Sequence, residues 1–245
     1  MGSQVAVVAG ATGTLGSLLV RSLAERGLDV VAVSRSGAAV GAGESVSVAA
    51  DLGDDTCVTA VRDALPEGSL AMLVSAVGLP GAPGVMDVEP AMLGAAVDLK
   101  CGGLLRLLRA VDDRIVDGSR VVAIGGHLGQ EPGEHAPLPG VANAALASLV
   151  RQLVRPLGRR GATVHLVAPG PFESDRVDAL LERRAAARGT TYDQERAALV
   201  EEFPAGRLPT AVDVAWAVIL LLDPSASVMT GSMLGLDAGA RHGLF

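Results

Sequence analysis

An apolar run, Val5-Ala6-Val7-Val8-Ala9, passes into Gly10-Ala11-Thr12-Gly13-Thr14-Leu15-Gly16 and then into an amphipathic stretch from about Leu15 to Arg26. A strand that feeds a helix through glycines three residues apart leaves few folds open. Glycine accepts backbone angles closed to other residues and lets another group approach the main chain. The helix that follows points unpaired N–H groups and a positive dipole end back at the turn. That geometry suits the diphosphate of a nucleotide, with Gly10, Thr12, Gly13, Thr14, Leu15 and Gly16 as the contact residues. The same glycines would equally serve a tight strand-to-helix turn with no ligand.

The second strand, Asp29-Val30-Val31-Ala32-Val33, ends in Ser34-Arg35-Ser36. In a dinucleotide-binding βαβ unit an acidic residue at this place binds a free ribose 2′-hydroxyl, whereas the planar donor fork of arginine suits a 2′-phosphate. Arg35 therefore points to NADP(H) rather than NAD(H), against the simpler alternative of a solvated surface charge.

The 245 residues fit one large α/β domain, and 49% of them are apolar, enough for a substantial core. With 27 acidic and 20 basic residues the net charge is −7, which disfavours nucleic acid and anionic membranes as partners. Cys57 and Cys101 lie in helical patterns, as expected of reduced thiols, and no metal site is expected. Met1-Gly2-Ser3-Gln4 leads into the first strand without a basic region or cleavage site, and the apolar run Val214 to Leu222 is too short for a bilayer. A cytoplasmic protein is expected.

Further along, Gly37 to Gly43 reads as a loop and 45–50 as a third strand ending at Asp51-Leu52, where Asp51 is placed to accept an adenine amino group or to cap a helix over 54–65. Strands follow at 70–75, opening into Ala76-Val77-Gly78, at 120–124, opening into Gly125-Gly126-His127, and at 163–167, ending at Ala168-Pro169-Gly170-Pro171. Helices are expected over 90–113, 140–157 and 211–222, with a last strand at 232–237. The alternation predicts a Rossmann-type doubly wound seven-stranded parallel sheet in a single domain, with ligands at the strand carboxyl ends. Residues 172–209 break the rhythm with two helical pieces, and an insertion at that end is where a substrate lid would sit.

In this order the motifs resemble the short-chain dehydrogenase/reductase family over nearly the whole chain. Gly10, Gly13 and Gly16 look like its cofactor glycines, and Asp51-Leu52 like its adenine-side pair. Ser75-Ala76-Val77-Gly78 stands where many members carry Asn-Asn-Ala-Gly. Pro169-Gly170-Pro171 looks like its nicotinamide-side turn, and Thr230-Gly231 with Leu236-Asp237-Ala238-Gly239 like its last-strand signature. The resemblance implies a nicotinamide cofactor held by these residues. It also implies a homodimer or homotetramer built on the helices over 90–113 and 140–157.

The resemblance fails at the chemistry. The family's reductases protonate a carbonyl with a tyrosine, aided by a lysine four residues on, a serine after the fifth strand and an asparagine on the fourth helix. The matching positions here hold Pro139, Asn143, Gly126 and Asp98, while the only tyrosine is Tyr192 and the only lysine Lys100. A general acid contributes about 10²- to 10⁴-fold in rate, so simple ketone and alcohol chemistry is not expected. His127 titrates near neutrality on the loop beside the nicotinamide end and is the first replacement candidate. Asp98 is the second, with pairing to Lys100 or a backbone group as its alternative. His135, with Glu131 and Glu134, forms a polar loop able to fold over the site. Three functions stay open: an atypical NADP(H)-dependent oxidoreductase on a small apolar substrate, a non-redox cyclase, dehydratase or isomerase, and a non-catalytic homologue.

Overall fold

Alternate residues of the central strands are buried in opposite layers. Val5, Val7 and Ala9 join Val121 and Ala123 in one core, and Ala6 and Val8 join Val122 and Ile124 in the other. A strand that is apolar on both faces has to be covered on both. The computed structural model describes residues 3–40, 45–81 and 83–243. Seven strands, β1 (Gln4–Ala9), β2 (Asp29–Ser34), β3 (Val46–Ala49), β4 (Ser69–Ser75), β5 (Arg120–Ile124), β6 (Thr163–Pro169) and β7 (Met233–Leu236), form one sheet in the order β3-β2-β1-β4-β5-β6-β7. Every pairing is parallel, so all seven carboxyl ends lie along one edge. The order reverses between β1 and β4, which is where such sheets bind ligands.

Helices α1 (Thr14–Ala24) and α8 (Ala211–Leu220) cover one face, and α2 (Cys57–Asp63), α4 (Gly103–Ala110) and α5 (Pro137–Gly158) the other. Each large aliphatic side chain buried here contributes about 1.5–3 kcal/mol. Helix α8 starts in a capping box, in which Thr210 Oγ1 accepts from the Asp213 N–H and Asp213 from the Thr210 N–H, and Arg207 pairs with the Asp213 carboxylate. Both cysteines are free thiols, and no helix among the described residues is long and apolar enough to cross a membrane.

Some boundaries differ from expectation. The helix expected as one piece over 90–113 is α3 (Pro90–Val97), a π-turn over Asp98–Gly102 and α4. A wider turn at this point is helped by the pair Gly102-Gly103, which weakens α-helical propensity, and Gly103 packs where a Cβ would lie 3.1 Å from the Leu52 side chain. Helix α2 begins at Cys57 because Asp54 Oδ1 accepts both the N–H and the hydroxyl of Thr56 and holds a turn ahead of it. Of the loop expected over 37–43, residues 41–43 lie outside the described residues, as do Met1 and Gly2.

The insertion forms helices α6 (Asp175–Arg188) and α7 (Tyr192–Glu201) around a small core of its own, made by Val177, Leu181, Leu199, Phe203 and Leu208. Arg188 and Thr190 bind the buried carboxylate of Glu195, and Tyr192 donates to Asp178 at 2.7 Å. These ties make the segment an ordered unit at the carboxyl edge of the sheet.

Candidate cofactor and substrate site

At the end of β1, Gly10 adopts φ +79°, and a Cβ there would lie 2.5 Å from the Ala76 carbonyl oxygen. A Cβ on Gly16 would lie 2.1 Å from the Gly10 carbonyl oxygen, so this glycine is required by the contact between helix and turn. Gly13 is different. Its Cβ would meet only the Gly10 carbonyl at 3.4 Å, and residues 12–14 are exposed. The N–H of Gly13 bonds back to Gly10, that of Ser17 to Gly13, and α1 has no side-chain cap. The N–H groups of Thr14, Leu15 and Gly16 have no acceptor among the described residues. Open N–H groups at a helix N-terminus are chemically suited to an anion, and a dinucleotide's diphosphate fits them.

Ser75 and Ala76 sit across the turn, with the Ala76 N–H bonded to the Ala9 carbonyl. One step along the edge, Arg35 is exposed at the end of β2. Beside it Ser34 Oγ accepts from the Gly37 N–H and Ser36 Oγ from the Ala38 N–H, which turns the chain at the end of β2 and leaves Arg35 without a side-chain partner among the described residues. Asp51, just beyond β3, accepts from the Gly53 N–H at 2.9 Å and is otherwise exposed, while the Leu52 side chain is buried against Gly103. Leu52, like Leu15, therefore has only its backbone to offer a ligand.

At the other end of the cleft, the Gly170 N–H bonds to the Leu236 carbonyl, and a Cβ on Gly170 would press on Asp237 and Phe203 at 3.2 and 3.3 Å. The structure brings Gly126 and Asn143 together: a Cβ on Gly126 would lie 2.8 Å from Asn143 Nδ2. Asn143 is buried, and its Oδ1 has no hydrogen-bond partner among the described residues. Pro139 lies on the first turn of α5. The residues set against the family's tyrosine and lysine by counting from β5 are thus a pyrrolidine ring and a neutral amide.

His127 opens a short 3₁₀ turn after β5 and lines a cavity of about 480 Å³ with Pro171, Phe203, Pro204, Ala240 and the carboxylates of Glu131, Glu201 and Glu202. His242 completes the polar side. The lining mixes apolar side chains with imidazoles and carboxylates, so the cavity is mixed rather than apolar. Glu131 does not swing free on the expected loop. It accepts from the N–H groups of His242 and Gly243, which hold it below the usual carboxylate range and pin the C-terminal segment to this loop. His135 is exposed and pairs with Glu134 at 3.4 Å.

Asp98 is engaged elsewhere. Its carboxylate pairs with Arg106, which also binds Asp55 and the Leu52 carbonyl, so neither Lys100 nor the nicotinamide end is its partner. Lys100, passed over as a mid-helix residue, is a buried cation. The π-turn carries it inward, and its Nζ donates to the Ile124 carbonyl at 2.8 Å. Burial first, and then the Arg176 guanidinium, push its ammonium down to about 8. The sequence signal that could have found it was the isolation of the chain's one lysine on an otherwise apolar face.

A family model described as Enoyl-(Acyl carrier protein) reductase matches residues 10–241. The 3-oxoacyl-(acyl-carrier-protein) reductase FabG of Vibrio cholerae is 28% identical, over 96% of each chain. Among solved structures, a short-chain dehydrogenase family protein of Francisella tularensis superposes with a TM-score of 0.89 at 20% identity over 98% of each chain. L-sorbose reductase of Gluconobacter frateurii, solved with NADPH and L-sorbose, gives 0.87 at 18% identity, covering 100% of this chain and 98% of the other.

Proposed function

The chain belongs to the short-chain dehydrogenase/reductase family, and from that premise we propose that it is an NADP(H)-dependent oxidoreductase whose proton transfer bypasses the family's tyrosine and lysine. The carrying observation is the open glycine cradle at the end of β1 with Arg35 beside it. Thr14, Leu15 and Gly16 would bind the diphosphate through their N–H groups, Arg35 the 2′-phosphate, and the Asp51-Leu52, Ser75-Ala76 and Pro169-Gly170 turns the remaining parts. When bound, the cofactor supplies or accepts a hydride.

The chain's own residues provide the rest. His127 on the cavity wall is the imidazole assigned to proton transfer, and Glu131 beside it fixes the C-terminal segment that closes one side. The 172–209 unit acts as the lid, with Pro171 and Phe203 against the apolar part of a substrate. A small molecule with an apolar body and a polar or cationic end suits this lining better than a purely apolar one.

Two measurements test the reading. Calorimetric titration should show NADPH binding more tightly than NADH, with the preference reduced about tenfold in Arg35→Ala, equivalent to ~1.4 kcal/mol. Equal affinity for the two would reduce Arg35 to a surface charge. With a substrate in hand, His127→Ala should lower kcat at least about tenfold at unchanged cofactor affinity. The non-redox reading, a cyclase, dehydratase or isomerase, draws support from the Gly126–Asn143 contact, which puts a neutral amide where the family's lysine would stand. Its sign would be tight NADPH binding with no change in absorbance at 340 nm during turnover.

A further inference from the structure

Two cations converge on the carboxyl edge between β4 and β5 without a carboxylate to balance them. Lys100 reaches it from the π-turn, 6% exposed, with its Nζ 2.8 Å from the carbonyl oxygen of Ile124, the last residue of β5. That carbonyl is its only recorded acceptor, so two of its three N–H donors have no protein partner among the described residues. Arg176 reaches it from α6, where its Nη1 would lie 3.8 Å from a Cβ on Gly78. Asp98, two residues from Lys100, is committed to Arg106 on the far side of the helix. Burying an ammonium against one neutral acceptor is costly, and a packing role would be served as well by methionine or leucine.

We propose that Lys100 is a positioning cation of this site: its charge, held at the carboxyl end of β5, disfavours the positively charged oxidised nicotinamide relative to the neutral reduced one. This rests on the cofactor reading above. The phosphates carry the same charge in both forms of the dinucleotide and cancel from the comparison, whereas the ring charge does not. In a partly desolvated cleft, like charges several ångströms apart repel enough to change a binding ratio by about fivefold or more. The charged and titratable groups acting on Lys100 are Arg176 from α6 and Cys101 from its own turn, while β5 and α5 bring none. Burial and Arg176 make Lys100 lose its proton near pH 8, where Arg176 stays charged.

The preference for NADPH over NADP⁺, measured as the ratio of their dissociation constants by calorimetry or by quenching of the Trp216 emission, is therefore expected to be large at pH 6.5. It should fall about fivefold or more by pH 9.5. In Lys100→Met the ratio should be low at both pH values. In Lys100→Arg, which keeps the charge but does not titrate, it should stay high at both. A Lys100→Met protein that loses affinity for both forms equally, or a wild-type ratio that does not move with pH, would overturn the proposal. Absence of binding by either form to the wild-type protein would overturn the cofactor reading and this inference with it. Should Lys100→Met not fold, the Lys100→Arg comparison still decides: a ratio that falls with pH as in the wild type would exclude Lys100 as the titrating group.

Discussion

Arg106 Nη1 lies 3.1 and 3.0 Å from the two carboxylate oxygens of Asp98, eight residues before it in the chain. The same guanidinium binds Asp55 through Nε at 2.6 Å and the Leu52 carbonyl at 2.9 Å. It ties the π-turn, α4 and the loop after β3 into one cluster. The carboxylates, Asp55 foremost, hold the Arg106 pKa above its ordinary value. Asp98→Asn should therefore cost about 1 kcal/mol of stability or less, since Asp98 is partly exposed, and leave cofactor affinity unchanged. Arg106→Leu, which strands three acceptors, should cost about 2 kcal/mol. Chemical denaturation of both variants checks this, and a large fall in turnover in Asp98→Asn at wild-type stability would restore Asp98 as a base.

The cradle separates folding from binding at two neighbouring glycines. Gly16→Ala puts a methyl 2.1 Å from the Gly10 carbonyl oxygen and should lower stability by about 2–3 kcal/mol. Gly13→Ala meets only a 3.4 Å contact and should melt close to the wild type while losing NADPH affinity about tenfold, because its methyl stands in the open space the diphosphate requires. Calorimetric titration beside thermal melts distinguishes the two. Full NADPH affinity in Gly13→Ala would remove the cradle from the cofactor site.

His165 is fully buried in β6, 2.8 Å from the Thr163 hydroxyl, and burial, then the charge of Arg120, pushes its imidazole down to about 4. Between pH 6.5 and 4 the unfolded chain takes up a proton here that the folded chain refuses. Stability is thus complete above pH 6.5 and falls as the pH drops through that window, by about 3 kcal/mol. Asp213, held low chiefly by Arg207 and the Thr210 N–H, contributes a later loss that begins only below about pH 3.8. Denaturation at several pH values should show the earlier loss flattened in His165→Gln, and an unchanged profile there would clear the histidine.

Val212, Trp216 and Leu220 recur four apart on α8 and are all exposed, at 65%, 63% and 41%. Such a stripe on one helix face is covered in an oligomer or left as a liability. The sequence reading placed the subunit contact on the helices over 90–113 and 140–157, and this third surface was hidden in a run that reads as wholly apolar. Trp216→Glu should lower the mass found by light scattering at micromolar concentration. Dilution of the wild type should shift the emission of this single tryptophan to the red. A mass unaffected by the substitution would leave α8 outside the assembly.

The fold was legible because its signals are local: apolar runs bounded by turns, glycines at fixed spacing, and Arg35 at the end of a strand. Gly126 and Asn143, seventeen residues apart, were both counted from the end of β5, and the structure sets them side by side. What escaped depends on contacts between distant segments. Asp98 was weighed against its neighbour Lys100 because an i+2 partner is visible in a sequence and a partner across a widened turn is not. The π-turn itself has no propensity signature beyond two glycines, yet it decides that Asp98 faces out and Lys100 in. The polar wall of the cavity comes from Glu201, Glu202 and His242, which a linear reading gives to a helix end and a tail.

The single lysine of this chain is also its single buried ammonium. The native fold therefore shields this amine from amine-reactive reagents, and a lysine-specific protease has one bond to cut, inside the π-turn. The rate at which that bond is cleaved, or at which Lys100 acquires a label, becomes a clock for the opening of the segment between α3 and α4, readable by mass spectrometry without any engineered probe.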